Sequence, residues 1–140
     1  MTKNGLLALT IVLGFILSTA PASAHHSLAG YDQTTLVPIK GSITNIDWTN
    51  PHCWITLAVQ NPGGSTTMQR VQIAAPGALT KKGLTKDLLH IGDIITLESW
   101  ISNNTTLAPP PTGRWMIFSD GRRFDVGDMF GNNPNRQNQR

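Results

Sequence analysis

The clearest indication of the fold lies in one segment, Val37-Pro38-Ile39-Lys40-Gly41-Ser42-Ile43-Thr44-Asn45-Ile46-Asp47-Trp48. Its apolar residues and Gly41 fall at every second position as far as Ile43, and the parity then changes to Ile46 and Trp48. This pattern predicts one long strand that carries a β-bulge near Thr44-Asn45. Because a long bulged strand curls around the corner of a small barrel, the stretch favours a closed barrel.

Four further segments have the apolar alternation or the β-branched composition of strands. They are His52 to Val59, Met68 to Ile73, Ile94 to Ile101 and Arg114 to Phe118. Between the third and fourth strands, Pro76 marks the first turn of a short helix and Gly83 marks its end. After the fifth strand, Ser119-Asp120-Gly121-Arg122 is typical of a hairpin turn.

The order of these elements indicates the fold class. Five strands with one short helix between the third and the fourth are the order of an OB-type barrel. We therefore expect an all-β domain with one short helix, built as a small five-stranded OB-like antiparallel barrel. A generic antiparallel sandwich is the competing fold, and the long bulged first strand favours the barrel.

The two ends of the chain have the composition of segments outside the folded domain. Lys3, the apolar run Leu6 to Leu17 and the small residues Ala22-Ser23-Ala24 form the three parts of a secretory signal peptide. The run is too short to span a bilayer, so we expect a processed chain that is soluble in the periplasm or secreted, with no membrane association. The expected organisation is a signal peptide at 1–24, an N-terminal arm at 25–35, the barrel at 36–130 and a disordered polar tail at 131–140.

Composition excludes several classes of function. A formal net charge of +3 with scattered basic residues does not predict a nucleic-acid interface. The sequence has no hydrolase, metalloprotease, phosphate-loop or dinucleotide motif, and Glu98 is its only glutamate, so a non-enzymatic role is favoured. The single cysteine, Cys53, cannot form an internal disulfide, and strand alternation places it on the core side with Ile55 and Leu57.

The histidines are the candidate metal ligands. Cleavage after Ala24 makes His25 the new N-terminus, where the α-amine and the imidazole Nδ1 together form a chelate. His52 follows Asn50-Pro51 at the mouth of a strand, where we expect it to be rigid and exposed enough to meet the N-terminus. With His52 as third ligand, or His26 in its place, the site has the three nitrogens of a T-shaped copper centre. Cleavage after Ala22 leaves Ser23-Ala24-His25, which binds copper or nickel through four nitrogens.

Other interpretations fit the same residues. The protein can be a metal-free periplasmic binding module in which Trp48 and Trp54 contact a protein, peptide or glycan partner. A copper-dependent oxidase is a third hypothesis, and it requires an open coordination position. Paired histidines after a cleavage site are also typical of a solvated terminus. We expect His90 to cap a turn, and Tyr31-Asp32 to lie near enough to the terminus to orient a histidine ring.

Several motifs carry a resemblance to a family: His25-His26-Ser27, Tyr31-Asp32, Gly41-Ser42-Ile43, Trp48-Thr49-Asn50-Pro51-His52-Cys53-Trp54-Ile55, Ala78-Leu79, Gly83-Leu84-Thr85, Ile91-Gly92-Asp93 and Asp120-Gly121-Arg122. With them the chain resembles a family of small exported bacterial proteins of unknown function, whose mature form opens with His-His-Ser and which carry Asn-Pro-His. The resemblance implies a small β-barrel and brings no established activity. Members usually have an aliphatic residue in place of Cys53, which implies a packing role, and often a Trp and a Glu where Gln69 to Gln72 has neither.

Overall fold

The computed structural model describes residues 30–104, 106 and 109–128. The signal peptide predicted at 1–24, the first part of the arm at 25–29 and the polar tail at 131–140 lie outside the described residues. No helix within the described part is long and apolar enough to cross a membrane.

The described residues form one β-barrel with a short helix, as the order of elements predicted. The elements are β1 (Val37–Asp47), β2 (Cys53–Gln60), β3 (Thr66–Ile73), α1 (Pro76–Lys81), a 3-10 turn (Lys86–Leu88), β4 (Ile94–Trp100), β5 (Thr112–Phe118) and β6 (Arg123–Asp125). The strand order is β3-β2-β1-β4-β5-β6, and an additional β3–β5 pairing closes the ring. The all-β class and the small five-stranded barrel are therefore confirmed.

The closing pair runs parallel, whereas the expected barrel was antiparallel throughout. β3 and β5 pair through Gln72 and Thr112, and the other four pairings in the ring are antiparallel. The reason is geometric, because an odd number of strands cannot alternate direction all the way around a ring. One neighbouring pair of a closed five-stranded barrel must be parallel.

The hairpin after β5 adds a strand that the predicted five did not include. Gly121 has a φ of 87°, and the amide of Phe118 donates to the carbonyl of Arg122 at 2.9 Å. The chain then returns along β5 as β6, with Trp115 opposite Asp125. The Asp-Gly pair predicted the turn, but β6 has only three residues, which are too few to show an apolar alternation.

β1 bends as its sequence predicted. The register against β2 shifts between Ile43 and Asn45, which is the expected bulge. At Gly41 the backbone of β1 comes so close to β2 that an added Cβ would lie 2.5 Å from the carbonyl oxygen of Ala58. The part of β1 as far as Ser42 pairs with β4, and the part from Ser42 onward pairs with β2.

The core fills the inside of the barrel. On β2 the alternate residues Cys53, Ile55 and Leu57 are fully buried, which confirms the core position predicted for Cys53. Leu79 of α1 and Leu84 after it are also fully buried in this core. The helix begins at Pro76, and Gly83, with a φ of 86°, follows its end as predicted.

The described part of the N-terminal arm is attached to the barrel beyond β4. Tyr31 forms an isolated bridge with Ser102, and the amide of Asp32 donates to the carbonyl of Ile101 at 3.0 Å. The Tyr31 hydroxyl donates to the carbonyl of Pro110 at 2.9 Å. The arm is therefore fixed beside the loop that leads into β5.

Candidate functional site

His52 lies between a cis Asn50-Pro51 peptide and the first residue of β2. The next residue is fixed to the end of β3, since the Cys53 amide donates to the carbonyl of Ala74 at 3.2 Å. His52 is only 8% exposed, so the expectation of an exposed side chain at this strand mouth was wrong. The physical reason is that another segment of the chain lies against the ring.

That segment carries Asp128, whose Oδ2 lies 3.0 Å from Nε2 of His52. Asp128 follows β6 and is separated from His52 by 76 residues. A carboxylate in this position fixes the orientation of an imidazole and selects its tautomer, as it does for histidines that bind metals. Sequence reasoning missed Asp128, because no local pattern connects two residues so far apart.

A charged network holds the segment before Asp128. Oδ1 of Asp125 accepts hydrogen bonds from Lys82 Nζ at 3.1 Å and from the Gly127 amide at 3.0 Å, and it forms an ion pair with Arg114. Burial raises the pKa of the Asp125 carboxyl, but the hydrogen bonds and positive charges of Arg114 and Lys82 outweigh burial, so the pKa lies below its usual value. Asp125 is therefore an anion on β6 that connects β5, through Arg114, with the end of α1, through Lys82.

The remaining histidines have different positions. His25 and His26 lie outside the described residues. His90 is exposed in a turn, where its Nδ1 lies 3.4 Å from Asp93 Oδ2 and its backbone amide donates to the same oxygen. His90 therefore occupies the turn position that was expected of it.

No group of three His, Cys, Asp or Glu side chains in the described ranges is arranged to hold a metal ion.

Asp32 forms hydrogen bonds within its own turn, and the N-terminal histidines that it was expected to orient lie outside the described residues. Its Oδ1 accepts a hydrogen bond from the Thr34 amide at 2.9 Å. The Thr34 hydroxyl donates to the same oxygen and lowers the pKa of Asp32 most, and the amide lowers it further. Asp32 thus stabilises its own turn.

The arm and His52 lie at the same end of the barrel. β2 begins there, β3 ends there and β5 begins there, with the Gln72 amide donating to the carbonyl of Pro111 at 2.9 Å. Tyr31 is bonded to Pro110 in the same loop. Five extended residues, the number from Gly30 back to His25, span at most about 17 Å.

Cys53 follows His52 directly in the chain, but its side chain lies in the core of the barrel. It is fully buried in the core, and desolvation raises the pKa of its thiol to about 11. A thiol with so high a pKa is protonated at neutral pH and is a poor ligand and nucleophile. This agrees with a packing role.

The two tryptophans beside the Asn-Pro-His turn do not form one wall. Trp48 is partly buried and packs against the core. Trp54 lies on the outer face of β2, where the guanidinium of Arg70 stacks 4.3 Å from the centroid of its ring. Arg70 is also paired with Asp47 at 3.0 Å, so Trp54 belongs to a polar outer surface of β1, β2 and β3.

Comparison with known proteins identifies a family. No curated protein and no solved structure is significantly similar to this chain. A family profile matches residues 14–108, a segment that includes His25, His26 and His52 and ends before β5. Asp128 therefore lies beyond the matched segment, which nevertheless covers more than half of the chain. The chain belongs to this family, DUF6152, a family of unknown function.

Proposed function

We propose that the protein is an exported copper-binding accessory protein that stores, delivers or senses the metal. In this proposal the amine and imidazole of the mature N-terminal residue His25, together with the His52 imidazole, hold one copper ion. His26 is the alternative third ligand. The observation that carries the proposal is the pairing of the buried His52 ring with Asp128 at 3.0 Å.

The pairing supports a metal-ligand role because a histidine that binds a metal is normally held by a hydrogen bond to a carboxylate or carbonyl. The Asp128 carboxylate also adds negative charge near the ring, which favours a bound cation. His52 is fixed by the β2–β3 contact on one side and by Asp128 on the other. In this proposal the N-terminal residue supplies the remaining ligands.

The donor types support copper over harder metals. Amine and imidazole nitrogens suit copper, nickel and zinc, whereas magnesium and calcium prefer oxygen ligands. We also propose that the His-His-Ser start and Asn50-Pro51-His52 are the shared functional motifs of the family, since both fall within the matched segment. The role in this proposal is metal binding.

The test uses the natively processed, exported protein. It should bind one copper(II) ion and give a paramagnetic resonance spectrum dominated by nitrogen ligands. His52→Ala, and separately one extra residue before His25, should each weaken binding by about tenfold or more, because each removes a donor or opens the chelate. His90→Ala is the matched control, since His90 is an exposed histidine in a turn.

Equal copper affinity in the native, extended and His52→Ala proteins would overturn the proposal. If these variants are also folded, the outer face of the barrel around Trp54 becomes the leading candidate for a binding site.

A second candidate function is a metal-free binding module, favoured by the surface around Trp54. OB folds bind oligosaccharides and oligonucleotides on the face of strands two and three, where this chain has the Trp54–Arg70 stack. In an exported protein the oligosaccharide is the relevant class. Quenching of tryptophan fluorescence by soluble oligosaccharides, lost in Trp54→Ala and unaffected by a copper chelator, would favour this function over copper binding.

A further inference from the structure

We propose that Lys82 and Asp125 are positioning residues for His52, and that they act through Gly127 and Asp128. The copper measurement in its test rests on the proposed function, whereas the measurement on the His52 ring does not. Lys82 and Asp125 act on the His52 ring along the chain, from Asp125 to Asp128.

The first step is the convergence of three donors on one oxygen. Lys82, immediately after α1, donates its Nζ to Asp125 Oδ1 at 3.1 Å. Arg114 of β5 pairs with the same oxygen, and the Gly127 amide donates to it at 3.0 Å. The oxygen thus connects a helix end, a strand and the segment that leads to Asp128.

The second step is the fixation of Gly127 on both sides of its peptide unit. Its amide is bonded to Asp125, and its carbonyl accepts a hydrogen bond from Lys82 Nζ at 2.8 Å. Gly127 also packs tightly, since an added Cβ would lie 3.2 Å from Nη1 of Arg114. Asp128 is the next residue, so its backbone begins from a fixed point.

The third step concerns the strength of the network. The Lys82 side chain is 17% exposed and the Arg114 side chain 22% exposed, so water screens these contacts less than ordinary surface ion pairs. Removing Lys82 takes away one of the two positive charges beside Asp125 and the only donor described for the Gly127 carbonyl. Loss of Lys82 should therefore loosen the segment and let Asp128 leave the His52 ring.

The experiment compares Lys82→Met with Lys82→Arg in the full processed protein. Lys81→Met is the matched control, because Lys81 is the neighbouring residue on α1 and is exposed. Nitrogen–proton NMR of the His52 ring in metal-free protein reports whether the Asp128 hydrogen bond persists. Copper affinity, measured by competition with a chelator, reports the consequence for the proposed site, and the melting temperature reports folding.

We expect Lys82→Met to shift the His52 ring signals and to weaken copper binding by about tenfold, the usual effect of losing support behind a metal ligand. Lys82→Arg should restore both, and Lys81→Met should change neither. If Lys82→Met does not fold, Asp125→Asn, which keeps the shape of the side chain, provides the same test.

The outcomes separate this inference from the copper proposal. Unchanged ring signals in folded Lys82→Met or Asp125→Asn protein would overturn the inference, whatever copper does. Shifted ring signals with Arg rescue would support it even if His52→Ala leaves copper affinity unchanged, a result that overturns only the proposed function.

Discussion

His52 and Cys53 are neighbours in the chain and have opposite chemical environments. The imidazole meets a carboxylate from a distant segment, whereas the thiol lies among aliphatic side chains. Strand alternation accounts for the thiol, because the residue that begins β2 faces the core. It does not account for the imidazole, whose carboxylate partner Asp128 follows β6.

The environment of Cys53 predicts a specific pH dependence of stability. Burial raises the pKa of the thiol from 9.0 to about 11 in the native protein. Below pH 9.0 the thiol is neutral in both states, but between pH 9.0 and about 11 the unfolded chain ionises first. Stability should therefore fall as pH rises through this window, and denaturant unfolding of Cys53→Val should lack that part of the fall.

A second measurement checks the same thiol at neutral pH. Cys53 should react slowly with a thiol reagent in the native protein and rapidly in denaturant, and Cys53→Val should keep its copper affinity. Rapid labelling of the native protein would show that the thiol is accessible and that the burial argument is wrong.

At Gly41, β1 has no space for a side chain. An added Cβ at Gly41 would lie 2.5 Å from a backbone oxygen of β2, which is closer than atoms approach without a shift of the strand. Gly41→Ala should destabilise the fold by about 1–3 kcal/mol, the usual range for overpacking. Gly63→Ala is the control, because nothing lies within 4 Å of its added Cβ.

Denaturant midpoints of the two glycine variants check this prediction. A Gly41→Ala midpoint equal to that of Gly63→Ala would mean that β1 and β2 separate easily at the bend. The bulge would then not depend on the close approach at Gly41.

The elements also show where sequence reasoning succeeds. The bulge of β1 is legible because a change of parity between Ile43 and Ile46 is a local pattern. The helix is legible because Pro76 and Gly83 are local signals. The role of Asp128 and the burial of His52 could not be predicted from the sequence, because both depend on a contact between residues 76 positions apart.

For the molecule as a whole, the N-terminus decides between the proposed functions. Small residues at Ala22-Ser23-Ala24 predict cleavage that exposes His25, and the mass of the intact exported protein measures the cleavage point directly. We expect a chain that begins at His25. Ala24→Leu should block cleavage at this position and remove the three-nitrogen site with His52, because the nitrogen of His25 is then part of a peptide bond.

A mature chain that begins at Ser27 or later would contradict this prediction, since the chelating residue would be lost. The Trp54–Arg70 surface would then become the leading candidate for function.

The separation of His52 and Asp128 along the chain has a consequence for biogenesis. Synthesis proceeds from the N-terminus, so the imidazole emerges long before its carboxylate partner. The pair can form only after β6 has returned along β5 and Asp128 has been made. A chain that stalls or is truncated inside the hairpin therefore has nearly all of the barrel sequence but an unpaired His52 ring. Under the proposed function, metal loading would accordingly follow export of the complete chain.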